Sequence, residues 1–209
     1  GIASCIDRQT LAEQTVSASG RVLHSLVPPE HPLYADGLTA WAYDPAAGQT
    51  LLASAGWYDD DGDGVREAHG IPGIADGTPF QITYRTTDDP LRMQMAQSIQ
   101  TYLTACGVRA SVEIAAPDAF FAPGPEGPLF GRRFDLAQFS WRAASDPLCD
   151  LFLSSQTPDT GRWDRPNVAG FLDDEYDTAC LAALAAWPGS GAYAAGQAGA
   201  QRGFAEPLP

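Results

Sequence analysis

Two hydrophobic periods alternate along this chain, and the points where one gives way to the other predict its elements. Residues Ile2 to Ser19 carry a helical pattern with a break at Asp7, which caps a second segment holding Leu11, Ala12 and Val16. Arg21 to Tyr34 has no period, and the three prolines of VPPEHP exclude regular helix there. Asp44-Pro45 reads as an N-cap with proline at the first helical position. The helix it opens places Ala47, Leu51, Leu52 and Ala55 on one face, and Gly56 stops it. Trp57 then lies where it can pack back on the last turn, while Gly48 weakens the helix by about 1 kcal/mol relative to alanine.

The period changes to two at Phe80 to Arg85, FQITYR, the mark of a strand. Asp89-Pro90 opens another capped helix with an apolar stripe of Leu91, Met95, Ile99, Leu103 and Cys106, and Gly107 ends it. Val108 to Ile114 alternates again. Strand, helix and strand over 80–114 form a βαβ unit with parallel strands. The proline- and glycine-rich stretch 115–133 is loop with one helical turn near Asp118 to Phe121. The run FDLAQFSW, 134–141, reads as a buried strand ending in a large aromatic. The small-residue loop RAAS follows, and Asp146-Pro147 then looks like the start of a helix. Residues 155–170 are polar loop. Asp173 opens a helix whose shared face holds Tyr176, Cys180, Leu181, Leu184 and Trp187, and Pro188-Gly189 ends it. A last, alanine-rich helix runs from about Gly191 to Ala205. The fold class is therefore α/β.

Trp141 draws attention by its place, since ligands of open α/β sheets bind beyond the carboxyl ends of strands. The competing reading makes it an ordinary core tryptophan.

Composition narrows the function. The chain has 209 residues, 44% apolar, and carries a net charge of −14 with arginine as its only strong base. Nucleic-acid phosphates need a basic face, so that class of partner is excluded. There is no apolar run long enough to span a bilayer. Gly1-Ile2 opens directly into a helical pattern without a leader, so the chain reads as a processed or truncated piece. No G-x-S-x-G, P-loop, H-E-x-x-H or G-x-G-x-x-G occurs, and no nucleophile–base set is visible, so the expectation is a protein that does no chemistry. The four cysteines, Cys5, Cys106, Cys149 and Cys180, form no metal-binding pattern. Their count alone leaves open two disulfides in any of three pairings or four buried thiols.

The stretch DDDGDGVRE, 59–67, has the residue types of a calcium loop. Asp59, Asp61, Asp63 and Gly64 match positions 1, 3, 5 and 6, and alternate oxygens point inward because the turn is tight. The Val65 carbonyl and Glu67 add to the set. Position twelve is Gly70 rather than glutamate, so the match is partial, and a solvated acidic turn is the other reading.

Taken in order, IDRQTL, VPPEHPLY, YDPAAGQTLLASAGW, DDDGDGVRE, RMQMAQSIQTYLTACGV, FDLAQFSW, DP and the Tyr-Asp helix after Asp173 resemble the C-terminal lobe of family 5 extracellular solute-binding proteins, the receptors of peptide and nickel ABC transporters. The resemblance covers nearly the whole chain. It implies one lobe, residues 1–209, of a periplasmic-binding-protein-like (type II) fold, with a mixed sheet flanked by helices and the other lobe absent. It implies a monomeric receptor, periplasmic or extracellular and in some members lipid-anchored, that hands a peptide-like or other small solute to a membrane permease. By that resemblance Trp141 faces the ligand cleft, and the stretch Gln138, Ser140, Arg142, Ala144 and Ser145 lines it, the main chain pairing with an extended ligand. The alternative is a calcium-dependent extracellular structural or binding module built on the acidic loop.

An external location favours disulfides. The expected pairs are Cys149 with Cys180, stapling the polar loop between two helices, and Cys5 with Cys106. One departure from the family pattern concerns the ligand. Peptide-binding members have an aspartate a few residues after this tryptophan that holds the ligand's α-amino group. Here those positions are Ala143, Ala144 and Ser145, and Asp146 is assigned to the helix cap. A neutral, anionic or N-blocked ligand is expected in place of a free peptide amine.

Overall fold

The computed structural model describes residues 1–16, 21–141 and 146–206. The chain divides into two compact units, one of residues 1–22, 41–120 and 134–139, the other of 23–40, 121–133 and 140–209.

In the first unit, β3 (Gln81–Thr87) is the middle strand of a three-stranded sheet, between β4 (Arg109–Ala115) and β5 (Leu136–Ala137). Both pairings are parallel, with Gln81 opposite Arg109 and Tyr84 opposite Leu136. The connection from β3 to β4 is α4 (Pro90–Ala105), whose first N–H groups, those of Leu91 and Arg92, donate to the Asp89 carboxylate at 3.0 and 3.1 Å. Leu103, Cys106 and Val108 pack with Ile82, Leu52 and Cys5 into the core, and a Cys5–Cys106 disulfide runs through it. At the N-terminus, α1 (Ile2–Cys5) and α2 (Arg8–Val16) meet at Asp7. The Asp7 carboxylate accepts from the Thr10 N–H at 3.0 Å and its hydroxyl at 2.7 Å, which holds its pKa below the ordinary aspartate value.

The helix α3 (Pro45–Ser54) starts as its cap predicts, with the Ala47 N–H donating to Asp44 at 2.9 Å. Its inward face differs from the expected one. Leu51 is 46% exposed, and Gly48 is buried instead. A Cβ on Gly48 would stand 2.8 Å from Cys5 Sγ, so glycine lets α3 approach the disulfide. A separate two-stranded antiparallel hairpin is formed by β1 (Trp57–Tyr58) with β2 (Glu67–Ala68), and the acidic loop is its tip. Trp57 stacks on Phe80 with ring centroids 4.1 Å apart. The helical turn in the following loop is α5 (Pro117–Phe120).

The second unit is organised by α6 (Asp174–Ala185) and α7 (Gly191–Ala205). Their caps are Asp173, which accepts the Tyr176 N–H at 2.6 Å, and Ser190, which accepts that of Tyr193 at 3.1 Å. The inward stripe of α6 is Tyr176, Cys180 and Ala183. Leu181, Leu184 and Trp187, expected on that stripe, are 54%, 53% and 84% exposed. The reason lies on α7: a Cβ on Gly196 would come 2.7 Å from the Ala183 backbone nitrogen, so the two helices touch through small residues and large leucines have no room between them. A Cys149–Cys180 disulfide joins α6 to a short 3-10 segment, Cys149–Phe152. Tyr176 donates to the Cys149 carbonyl at 2.6 Å, and Phe171 and Phe204 pack on its ring.

Two further expectations change. The strand expected over 134–141 pairs only at Leu136–Ala137. The Asp135 carboxylate takes the Thr83 N–H at 2.7 Å in place of a main-chain carbonyl, while the Asp135 N–H donates to Thr83 O at 3.0 Å. No α-helix starts at Pro147; the 3-10 segment that follows has no side-chain cap.

Candidate functional site

The candidate ligand stretch begins where β5 ends. Gln138 belongs to the first unit, and its groups are all engaged there. Its N–H donates to Arg85 O at 2.9 Å, its side-chain oxygen accepts from the Tyr84 hydroxyl at 2.9 Å, and its amide nitrogen lies 3.0 Å from Met95 Sδ. Burial pushes the Tyr84 phenol well above its usual pKa, so it stays a donor to Gln138. Ser140 and Trp141 belong to the second unit. Ser140 is exposed, and Trp141 is half-buried with its ring centroid 6.4 Å from that of Phe130. Arg142, Ala143, Ala144 and Ser145 lie outside the described residues.

Asp146 is not a helix cap. Its Oδ2 accepts from the Tyr193 hydroxyl at 2.6 Å. That bond, then burial, raises the Tyr193 phenol pKa, because ionising it would set two anions face to face. Sequence pattern offered no hint of this contact, since 47 positions separate the partners.

The acidic loop is shaped by its own side chains. Asp59 accepts from the Gly62 and Gly64 N–H groups at 2.9 and 3.1 Å, and Asp61 from that of Asp63 at 3.0 Å. Gly64 has φ +87°, as the bend requires. Carboxylate oxygens of Asp59, Asp61 and Glu67 lie within 4.8 Å of one another, an arrangement that can receive a hard cation. Asp63 accepts the Val65 N–H at 2.7 Å and stands 4.0 Å from the Arg109 guanidinium. Arg66 anchors the hairpin: its Nε donates to Cys106 O at 2.8 Å and its Nη1 to Trp57 O at 2.9 Å. The loop is thus tied to the C-terminus of α4 beside the Cys5–Cys106 bridge.

Asn167 is a residue that pattern reading passed over, being one polar residue in a polar loop. It is fully buried. Its amide nitrogen reaches Phe152 O, Leu153 O and Phe171 O at 3.2, 3.0 and 2.8 Å, and its oxygen accepts the Phe171 N–H at 3.0 Å. Gln201 plays a similar part on α7. It donates to Leu33 O at 2.6 Å and accepts from Ser25 and Ala35.

The sequence profile of the bacterial extracellular solute-binding proteins, family 5 Middle, matches residues 1–162. The chain belongs to this family. Among family relatives, the oligopeptide-binding protein AppA of Bacillus subtilis (strain 168) is 26% identical over 162 residues, 74% of this chain and 27% of AppA. The structure of AppA in complex with a nonapeptide superposes with a TM-score of 0.78 at 20% identity, covering 98% of this chain and 38% of that one. The oligopeptide-binding protein of Thermus thermophilus, complexed with a pentapeptide, gives 0.81 at 20% identity, with 98% and 35% covered. NikZ of Campylobacter jejuni, in complex with Ni(L-His), gives 0.78 at 19%, with 98% and 38% covered. The fold is therefore that of the family 5 solute-binding proteins, periplasmic-binding-protein-like. The chain spans between 27% and 38% of the length of these relatives. None of these likenesses supports a calcium-dependent module as the chain's activity. Among the described residues, no helix is long and apolar enough to cross a membrane.

Proposed function

We propose that this chain is one lobe of the substrate-binding component of an ABC transporter, one that captures a small solute between two lobes and passes it to a membrane permease. It works in the periplasm or outside the cell, as the description of its family implies, and a lipid anchor would hold it near the permease. The observation that carries this reading is the family match, which includes the stretch from Gln138 to Ser145. Within that stretch Trp141 offers a partly accessible aromatic face for stacking, and the main chain about Ser140 and Arg142 would pair with an extended ligand. The ligand is neutral, anionic or N-blocked, such as a modified peptide or a sugar. RAAS supplies no carboxylate for an ammonium group. The Asp146 carboxylate is engaged by Tyr193.

The test is titration calorimetry on the two-lobed receptor containing this chain, with matched peptides that carry a free or an acetylated N-terminus. The acetylated series binds more tightly, and Trp141→Ala weakens binding at least about tenfold, roughly 1.4 kcal/mol, while Trp141→Phe keeps most of it. Unchanged affinity in Trp141→Ala would refute the stacking role. Tighter binding of free amines would refute the ligand class alone.

A structural calcium ion held by Asp59, Asp61, Asp63, the Val65 carbonyl and Glu67 is a second part of the proposal, favoured by the three converging carboxylates. Without a glutamate at position twelve, the dissociation constant falls at about 0.1–1 mM. Calcium at about 10 mM would then stabilise the chain by about 1.4–2.7 kcal/mol. A melting temperature that does not move with calcium, or moves equally in Asp59→Asn/Asp61→Asn, removes the site.

A further inference from the structure

Tyr193 stands in the first turn of α7, where the Ser190 cap holds its N–H, and its side chain is buried at 8% exposure. Its hydroxyl donates to Asp146 Oδ2 at 2.6 Å. Gln197, one helical turn further on and 1% exposed, hydrogen-bonds the same phenol through its side chain. That bond acts to lower the Tyr193 pKa, so Gln197 is the donor and the phenol oxygen the acceptor. A phenol has one proton to give, and with its oxygen serving Gln197 that proton goes to Asp146. The tether therefore runs from the buried face of α7 to an exposed carboxylate.

Asp146 lies five positions after Trp141, in the same compact unit. Five residues of chain reach at most about 18 Å, roughly the length of an extended pentapeptide, so a solute of that size stacked on Trp141 can reach this carboxylate. On the other side of Trp141 the nearest acid in sequence is Asp135, whose carboxylate takes the Thr83 N–H at 2.7 Å. The two acids that flank Trp141 in the chain are thus both occupied by donors of the chain itself. A ligand ammonium group leaving water needs an anionic partner. Asp146 is the flanking acid in the unit of Trp141, and Tyr193 holds its Oδ2.

We propose that Tyr193 is a specificity-determining residue of the ligand cleft: by holding Asp146 it withholds that carboxylate from a ligand ammonium group and turns the receptor away from free peptide amines. It is a positioning residue, acting through Asp146 without touching the ligand. The proposal rests on Trp141 as the residue on which the ligand stacks.

Random pentapeptides with free and with acetylated N-termini, in equal amounts, compete for the two-lobed receptor containing this chain, and mass spectrometry of the bound fraction gives the free-to-acetylated ratio. Tyr193→Phe keeps the ring and removes the tether. It raises the ratio about tenfold over wild type, the effect of one charge-assisted hydrogen bond. Tyr193→Phe/Asp146→Asn returns the ratio to the wild-type value. Asp146→Asn alone still accepts from Tyr193 and leaves the ratio where it is, and it carries the test if Tyr193→Phe fails to fold by far-ultraviolet circular dichroism. The wild-type ratio tests the ligand class and Trp141→Ala the stacking role, so the change between variants is read separately from both. A ratio that Tyr193→Phe does not move, or a Tyr193→Phe receptor that retains neither series, overturns the proposal. So does a rise that survives Asp146→Asn, or a fall in Asp146→Asn alone.

Discussion

Replacing Asn167 with alanine tests whether a single buried amide holds the loops of the second unit together. The substitution leaves the part-buried Phe171 N–H, now 3.0 Å from Oδ1 of the fully buried Asn167, without its acceptor. An orphaned buried donor costs about 1–3 kcal/mol. The lost bonds to Leu153 O and Phe171 O add about 1 kcal/mol each. Relaxation recovers part, so the expected destabilisation is about 3 kcal/mol. Urea unfolding should be followed by both tryptophan fluorescence and far-ultraviolet circular dichroism, because a chain of two compact units need not melt in one step. Asn167→Asp is the companion. It keeps the acceptor for Phe171 but turns a second oxygen on three carbonyls, so its folded state favours the protonated acid and its pKa rises. A raised acid pKa leaves stability intact below the unfolded value, about 3.9, and removes it as pH climbs to the folded value. The deficit of Asn167→Asp against wild type is therefore larger at pH 7 than at pH 4. A cost below about 1 kcal/mol for alanine, or an aspartate deficit independent of pH, would refute the reasoning.

The two disulfides close loops of different span, 101 and 31 residues apart. On the chain-entropy account, Cys5→Ser/Cys106→Ser costs about 4.7 kcal/mol and Cys149→Ser/Cys180→Ser about 3.7; a reversed order in urea denaturation, or four titratable thiols in the unreduced unfolded chain, counts against it. Asp7→Asn tests the cap of α2. The lowered pKa of Asp7 means its ionised form stabilises the fold above the unfolded value, and the contribution is lost as pH falls through the folded one. Asp7 is half-buried at the surface, so the wild-type advantage is about 1 kcal/mol at pH 7 and shrinks on acidification; a gap that is the same in acid as at pH 7 refutes the assignment.

Where the physics is local, the chain could be read directly. Asp44, Asp89 and Asp173 each cap a helix with bonds to residues two or three positions on, so three side chains announce three helix starts. The alternation at Phe80 to Arg85 and Val108 to Ile114 announced two strands, and the helix between them required the strands to be parallel. The candidate site was legible only in part. Trp141 stood out because it closed the apolar run of an expected strand, although the strand itself ends at Ala137. Asp146 was misassigned because Asp-Pro resembles a cap, and nothing nearby in sequence revealed Tyr193.

The sequence by itself determined the βαβ unit, the helices that open at Asp44, Asp89 and Asp173, and the family, because capping, turn and periodicity signals act over a few residues. Which face of each helix is buried was decided by tertiary structure. Leu51, Leu181 and Leu184 satisfy the helical period yet remain exposed, while Gly48 and Gly196 lie at the contacts. Close packing depends on the shape of the neighbour: where backbones approach within reach of a disulfide or another helix, only a residue without a side chain fits, however apolar the alternatives. Asn167, Tyr193 and Arg66 acquire their partners the same way, through backbone carbonyls and carboxylates that folding brings to them from 4 to 47 positions away.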